Sequence, residues 1–590
     1  MRRKTAAVAI AAGMVIALGL TACGSNKPSS NSSGGGGGNA TPAFNAAIDK
    51  VFNPSTKKGG TLRFAHSGEF DSTDGADTYY GYSWDFIRLY GRALTMFAPK
   101  PGKDGNKLVP DLAESLGQPS ADAKTWTYKL KAGVKFEDGT PVTSKDVKYA
   151  VERSLDKDTF VNGPTYFNDF LDLQGYKSPY KDSDPNKLGL KAIETPDDRT
   201  IVFHLAKPFG GFDYLAMLPA TIPVPAAKDT GTKYKEHPVS TGPYKFDVFN
   251  AGKNFALVRN TSWDAATDPN RTALPDRIEV ALNTNAQDID DRLLSGNLDV
   301  GIEGTGVQAA TQGKILGNQD LKKNADLASI ARLWFSVINA DVAPLDNIHC
   351  RKAIEYATDH EGYQRAYGGP TGGDIATNLL PPQIPGAKKI DLYNFASKPN
   401  GDVDAAKKEL ADCGQPNGFA INVSYRAERP KEKATAESLQ QSLSKVGINL
   451  TLKPFPSGDY AKLYAGKPDF AKNNKLGIII YGWGADWPDG FGFLQQIVDS
   501  RAIRPGGGNT NLGIKIPDVD ALIDKALVTT EADARNDIWG QIDQKVMENA
   551  EALPGLWAKA LIYRPPSLTN VYVNDGLGGF YDYAWMGVKQ

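Results

Sequence analysis

Trp483 and Asp486 stand three residues apart in the stretch KLGIIIYGWGADWPDG, residues 475–490, where an indole plate beside a carboxylate suits a cationic, partly apolar ligand. Residues 476–481 form a continuous β-branched apolar run, the pattern of a strand buried on both faces. Gly482 and Gly484 are read as letting the backbone turn tightly after it. The strand then presents Trp483 and Asp486 at its carboxyl end, the side on which open α/β sheets bind ligands. Tyr481, Gly484 and Trp487 belong to the same candidate site. A turn-capping aspartate and a core tryptophan fit the same spacing, because turns favour Gly and Asp. Spacing alone leaves both readings open.

Other chemistry finds little support. His66, His204, His237, His349 and His360 are scattered without a short metal-ligand spacing, and neither Cys350 nor Cys413 lies in a CxxC pair. His204 falls on the strand face opposite Ile201, Phe203 and Leu205 and reads as a surface residue. Asp290 and Asp291 read as solvated charge on a polar helix face. Nucleophile elbow, Walker loop, dinucleotide glycine pattern and HExxH are all missing, so no catalytic residue, metal or cofactor is expected. A catalytic set assembled from distant positions would leave no such motif. With 67 basic and 68 acidic side chains there is no basic run to mark a nucleic-acid partner.

The elements that must position the candidate site follow from periodicity. At 590 residues the chain is too long for one core and should divide into two or three lobes. Ile421, Val423 and Tyr425 alternate as on a strand, residues 433–445 read as a helix ending at Gly447, and Ile448, Leu450 and Leu452 alternate again. Such a strand, helix, strand unit implies a parallel pair and an α/β lobe. Leu62 and Phe64 mark an early strand, and the rings of Tyr79, Tyr80, Tyr82, Trp84, Phe86 and Tyr90 read as core or rim packing. Trp126, Tyr128 and Leu130 alternate on another strand. Thr143 and Asp146 are spaced as a capping box opening a helix with Val147, Ala150, Val151 and Leu155 on one side. Val519, Leu522, Ile523 and Ala526, then Ile538, Ile542 and Val546, mark two amphipathic helices.

The amino terminus is a targeting segment, Arg2, Arg3 and Lys4 followed by the uncharged apolar stretch 6–22. It ends in Leu20-Thr21-Ala22-Cys23, which resembles the lipobox of bacterial lipoproteins. That resemblance implies lipidation of Cys23 and anchoring by acyl chains, not a membrane span. Loss of residues 1–22 leaves 64 basic against 68 acidic side chains, a net charge of −4. Residues 24–41 are rich in Ser, Asn and Gly and cannot bury enough apolar surface to fold, giving a tether with a span of roughly 25 Å. With Cys23 acylated, Cys350 and Cys413 remain as an even pair in an oxidising compartment, where a disulfide is the default and two buried thiols the alternative.

The stretch ESLGQPSADAKTWTYKLKAGVKFEDGTPVTSKDVKYAVERSL resembles the signature region of family 5, the peptide and nickel binding family, of ABC transporter solute-binding proteins. Lys131 and Ser144 depart from its usual Arg and Ala. STGPYKFDVFNAGKNFALVRNTSWD, IEVALNTNAQDIDDRLLSGNLDVGIEG and HCRKAIEYATDHEGYQRAYGG resemble further blocks of the family, and the two carboxyl-terminal helices continue the likeness. The resemblance implies an α/β, two-lobed periplasmic-binding-protein-like fold of type II, cluster C, with an extra subdomain in the N-terminal lobe and two strands crossing between lobes. The expected division is a signal peptide over 1–22, a tether over 23–57, lobe I over 58–95, 226–325 and 556–590, the extra subdomain over 96–225, and lobe II over 326–555.

In peptide-binding relatives an aspartate three positions after the tryptophan of this loop pairs with the α-ammonium of the peptide. The resemblance therefore assigns that role to Asp486 beside Trp483. Some relatives carry an arginine for the ligand carboxylate on the preceding strand, where this chain has Ile478, Ile479, Ile480 and Tyr481. Arg426 and Arg429 are the candidates left for that role, with plain surface charge as the alternative. The expected protein is a monomeric, lipid-anchored receptor on the extracellular face of the membrane, delivering oligopeptides to ABC permease subunits and their cytoplasmic ATPases. An oligosaccharide or metal-chelate receptor of the same fold is the nearest alternative, and a secreted peptidase or amidase the alternative from another class.

Overall fold

The strand Leu476–Gly484 sits inside a six-stranded mixed sheet, and its first five residues are fully buried. A computed structural model describes residues 43–160, 162–302, 304, 306–427, 429–456 and 460–589. The signal peptide, residues 23–42 of the tether and Cys23 lie outside them. On one side the strand pairs parallel with Ala420–Arg426, which pairs parallel with Asn449–Phe455. The helix Pro430–Ser444 connects those two strands, which is the expected unit with its parallel pairing. On the other side it pairs antiparallel with the 14-residue strand Ala325–Ile338, which in turn pairs antiparallel with Ala552–Tyr563.

These last two strands link the lobes. Leu333, Phe335 and Val337 belong to the apolar core around Ile478 and Ile480 in lobe II. Ala328, Ile330, Ala560 and Ile562, further along the same strands, belong to the core around Leu62, Phe64, Leu257 and Ile278 in lobe I. Lobe I is built on a five-stranded sheet in which Thr61–Ala65 runs parallel to Arg277–Ala281 and to Val300–Gly301. Its helix Ala286–Ser295 starts at Asn285, whose side chain accepts the Gln287 and Asp288 N–H groups, and ends at Gly296 with φ of 75°.

The third body is a four-stranded sheet with Thr125–Lys129 and Thr200–His204 at its centre. Trp126, Tyr128, Ile201 and Phe203 face its core beside the helix Ser144–Ser154. Thr143 N–H donates to Asp146 Oδ2 at 2.8 Å, the expected capping box. Phe170 and Phe209 of this body pack against Phe491 of lobe II, with ring centroids 5.9 and 4.7 Å away, so the two lobes meet across the cleft.

Three sequence readings need correction. Residues 43–57, placed in the tether, are packed instead: Ala47 and Phe52 are buried, the Ala47 N–H donates to Asp326, and Phe52 bridges to Val571. Apolar residues return after position 43, and they have a core to join. Asp290 is buried, not solvated, and accepts the Gln308 N–H at 2.8 Å. Finally, Gly482 and Gly484 do not turn the chain, because pairing continues through Gly484. A Cβ at Gly482 would lie 2.2 Å from the Trp334 ring, and one at Gly484 would lie 3.1 Å from the Arg332 guanidinium. Both glycines make room for large side chains on the neighbouring strand.

Candidate functional site

The turn after Leu476–Gly484 frees one carboxylate by using another. The Asp489 side chain accepts the Gly492 N–H at 2.7 Å, while the backbone of Asp486 donates to Gly492 O at 3.1 Å and that of Ala485 to Ala331 O at 2.9 Å. Turn capping thus falls to Asp489, and the Asp486 side chain points across the cleft. Its Oδ1 accepts from the Tyr79 hydroxyl at 3.0 Å and its Oδ2 from the Tyr166 hydroxyl. No cationic side chain pairs with it among the described residues. Burial pushes its pKa up to about 6, opposed by the two phenol hydrogen bonds.

Lobe I holds those phenols in place. The backbone N–H groups of Tyr79 and Tyr80 both donate to Asp71, which also accepts from Ser83 Oγ at 2.8 Å at the start of the helix Gly81–Ile87. Tyr166 opens the helix Tyr166–Phe170 and lies edge-on to Trp487 at 4.8 Å. Trp487, 1% exposed, stacks between Tyr214 and Phe491, each 5.8 Å away with planes 11° apart.

A cavity of about 410 Å3 opens beside these groups, within the range of small-ligand sites. Asp486, Gly484 and Trp487 line it from lobe II, and Tyr80, Tyr82 and Trp84 from lobe I. Met96, Met217, Ile222 and Ile330 make much of its wall apolar. Most of the charged groups behind that wall are spent on one another: Arg88 pairs with Asp85 at 2.8 Å and Asp582 at 3.0 Å, and Arg271 with Asp111 at 2.7 Å. Arg332 is the exception. It lines the cavity without a carboxylate partner or hydrogen bond among the described residues, its guanidinium 5.5 Å from the Trp334 ring.

The other candidates from the sequence lie elsewhere. Trp483 stands opposite Leu333 in the sheet, its indole N–H without a partner, and does not line the cavity. Tyr481 meets Phe335 edge-on at 6.3 Å and lies under Arg426 at 5.1 Å. Arg426 is held by Glu432, with Nε 2.8 Å from Oε1, and Arg429 is exposed, 3.6 Å from the same carboxylate. Neither arginine lines the cavity. Sequence reasoning left Tyr79 among packing aromatics and passed over Tyr166 and Arg332. The signal for Arg332 was a lone charge in the apolar run ASIARLWFSVI.

One group among the described residues could offer metal ligands. His349, Glu409 and Asp412 bring ligand atoms within 4.8 Å of one another. They adjoin the Cys350–Cys413 disulfide, whose Cα atoms are 5.4 Å apart, and His349 Nδ1 lies 2.7 Å from Glu409 Oε2. None of the three lines the cavity, and the pair reads as a surface ion pair.

Comparison with known proteins places this geometry. The sequence profile described as bacterial extracellular solute-binding proteins, family 5 Middle, matches residues 107–504. Heme-binding protein A of Haemophilus influenzae is 28% identical over 472 residues, covering 77% of this chain and 79% of that protein. The periplasmic oligopeptide-binding protein OppA of Salmonella typhimurium is 23% identical, covering 77% and 82%. Among solved structures, clavulanic acid biosynthesis oligopeptide binding protein 2 superposes with a TM-score of 0.88 at 40% identity, covering 93% of this chain and 99% of that one.

Proposed function

The chain belongs to the bacterial extracellular solute-binding proteins of family 5, and on that footing we propose that it is the lipid-anchored receptor of an ABC importer, binding oligopeptides by their free amino end. The observation that carries this reading is the Asp486 carboxylate, set in the interlobe cavity with two phenol donors and no cationic partner among the described residues. An ammonium group supplies the missing charge, and the apolar wall accepts the side chains that follow it. Closure of the lobes excludes water from this pair, which strengthens it. It also gives a permease a shape distinct from the open form, and binding proteins of this kind are a standing example of hinge closure. The names of two similar proteins, both oligopeptide-binding, support the ligand class. The lipobox at Cys23 supports anchoring at the extracellular face of the membrane, since acyl chains hold a protein there without a span, and among the described residues no helix is long and apolar enough to cross a membrane.

Asp486→Asn is expected to lower affinity for a free-amine peptide by roughly 30-fold or more, since losing one partner of a desolvated charge pair costs about 2 to 5 kcal/mol. Calorimetry with a peptide and its N-acetyl form provides the check. Equal affinity of wild type and variant for the free-amine peptide removes the assignment.

A further inference from the structure

Arg332 stands in the strand Ala325–Ile338 directly opposite Gly484, two residues before Asp486 on the neighbouring strand. The space a side chain at Gly484 would fill is taken by the guanidinium, whose Nη2 lies 3.1 Å from where that Cβ would be. Arginine keeps its charge in proteins, so a half-buried guanidinium without an anion is costly unless a ligand supplies one. Burial, then the charges of Arg429 and Arg426, lower its pKa. Among the described residues those two share the carboxylate of Glu432. Most other charged side chains lining the cavity have a partner of opposite sign.

We propose that Arg332 binds a carboxylate of the ligand, so that Asp486 and Arg332 together read an ammonium and a carboxylate of one solute in the same cavity. This rests on the ammonium reading of Asp486 and narrows it. Both side chains line the same cavity, so one ligand lying in it can meet both. Either the α-carboxylate of a short peptide or an acidic side chain near its amino terminus satisfies this. A planar guanidinium takes either one with two parallel hydrogen bonds.

Four pools of di- and tripeptides with uncharged side chains test the proposal by native mass spectrometry. One is free at both ends, one is a carboxamide, one is N-acetylated, and one is a carboxamide with aspartate at its second position. The wild-type protein is expected to retain the free-acid pool, the aspartate pool or both at least tenfold better than the plain carboxamide, and which one it prefers identifies the source of the carboxylate. Arg332→Met is expected to abolish that preference while retaining the plain carboxamide as wild type does. The ligand-free variant should unfold at a temperature no lower than wild type, because an unpaired charge has been removed. Equal retention of carboxylate and carboxamide pools by wild type overturns the proposal, as does uniform loss of all pools or early unfolding in Arg332→Met. The N-acetyl pool and Asp486→Asn report on the ammonium alone: if acetylation changes nothing, that reading fails while the Arg332 comparison stands. Retention of no pool by wild type overturns both.

Discussion

Asp486 is a carboxylate whose two oxygens each accept a phenol hydrogen bond and whose pKa burial lifts to about 6. Its folded value lies above the unfolded one, so its protonated form favours the ligand-free fold. That contribution is present below about pH 4 and lost as the pH rises through about 6. A bound ammonium needs the ionised form and competes with the proton. Affinity for a free-amine ligand is therefore expected to be level near pH 7.5 and to fall as the pH drops below about 6, approaching tenfold per unit. Titration calorimetry from pH 5 to 7.5 shows this slope in wild type, and Asp486→Asn should remove it. A flat wild-type profile would mean that the carboxylate does not meet the ligand's charge.

At the scale of elements, the strand Leu476–Gly484 carries the site only because its neighbour is allowed to lean over it. Trp334 fills the space above Gly482, and Arg332 lies beyond it over Gly484. Gly482→Ala is expected to force the Trp334 ring aside and cost about 1 to 3 kcal/mol of stability by overpacking. Denaturant unfolding measures that loss, and a variant as stable as wild type would show that the sheet yields easily there. Because Trp334 borders Arg332, the same substitution should also weaken ligand binding. Lysine or arginine at position 482 would make the clash worse.

For the molecule as a whole, the proposed function depends on two lobes that each keep their shape while moving as units. Phe170 and Phe209 on one side and Phe491 on the other meet across the cleft, and Asp486 joins the same contact through Tyr79 and Tyr166. Inside lobe II the Cys350–Cys413 bridge ties the start of the helix Ile348–Ala357 to the end of Val403–Asp412, closing a loop across 63 positions. Replacing both cysteines by alanine is expected to cost about 4 kcal/mol of stability on the chain-entropy account. Ligand affinity at 25 °C should stay within twofold of wild type, since neither helix lines the cavity. Thermal unfolding and calorimetry on the double variant check both parts, and a large loss of affinity would tie this region to the cleft.

The sequence by itself marked the local elements and pointed to Asp486 as a candidate. The apolar run at 476–481 read as a buried strand, the spacing of Thr143 and Asp146 as a helix cap, and alternation at 421–425 and 448–452 with a helix between them as a parallel pair. Such features depend on neighbours a few positions apart, so local pattern carries them. Only the tertiary structure decided which charges are free. Arg426 looked available until Glu432, six positions on, took it, whereas Arg332 went unremarked until the fold set it against Gly484 without a carboxylate partner among the described residues. Tyr79 and Tyr166 reach Asp486 from 407 and 320 positions away. Pairing, burial and desolvation are sums over everything that folding brings close in space, and the order of residues along the chain does not record them.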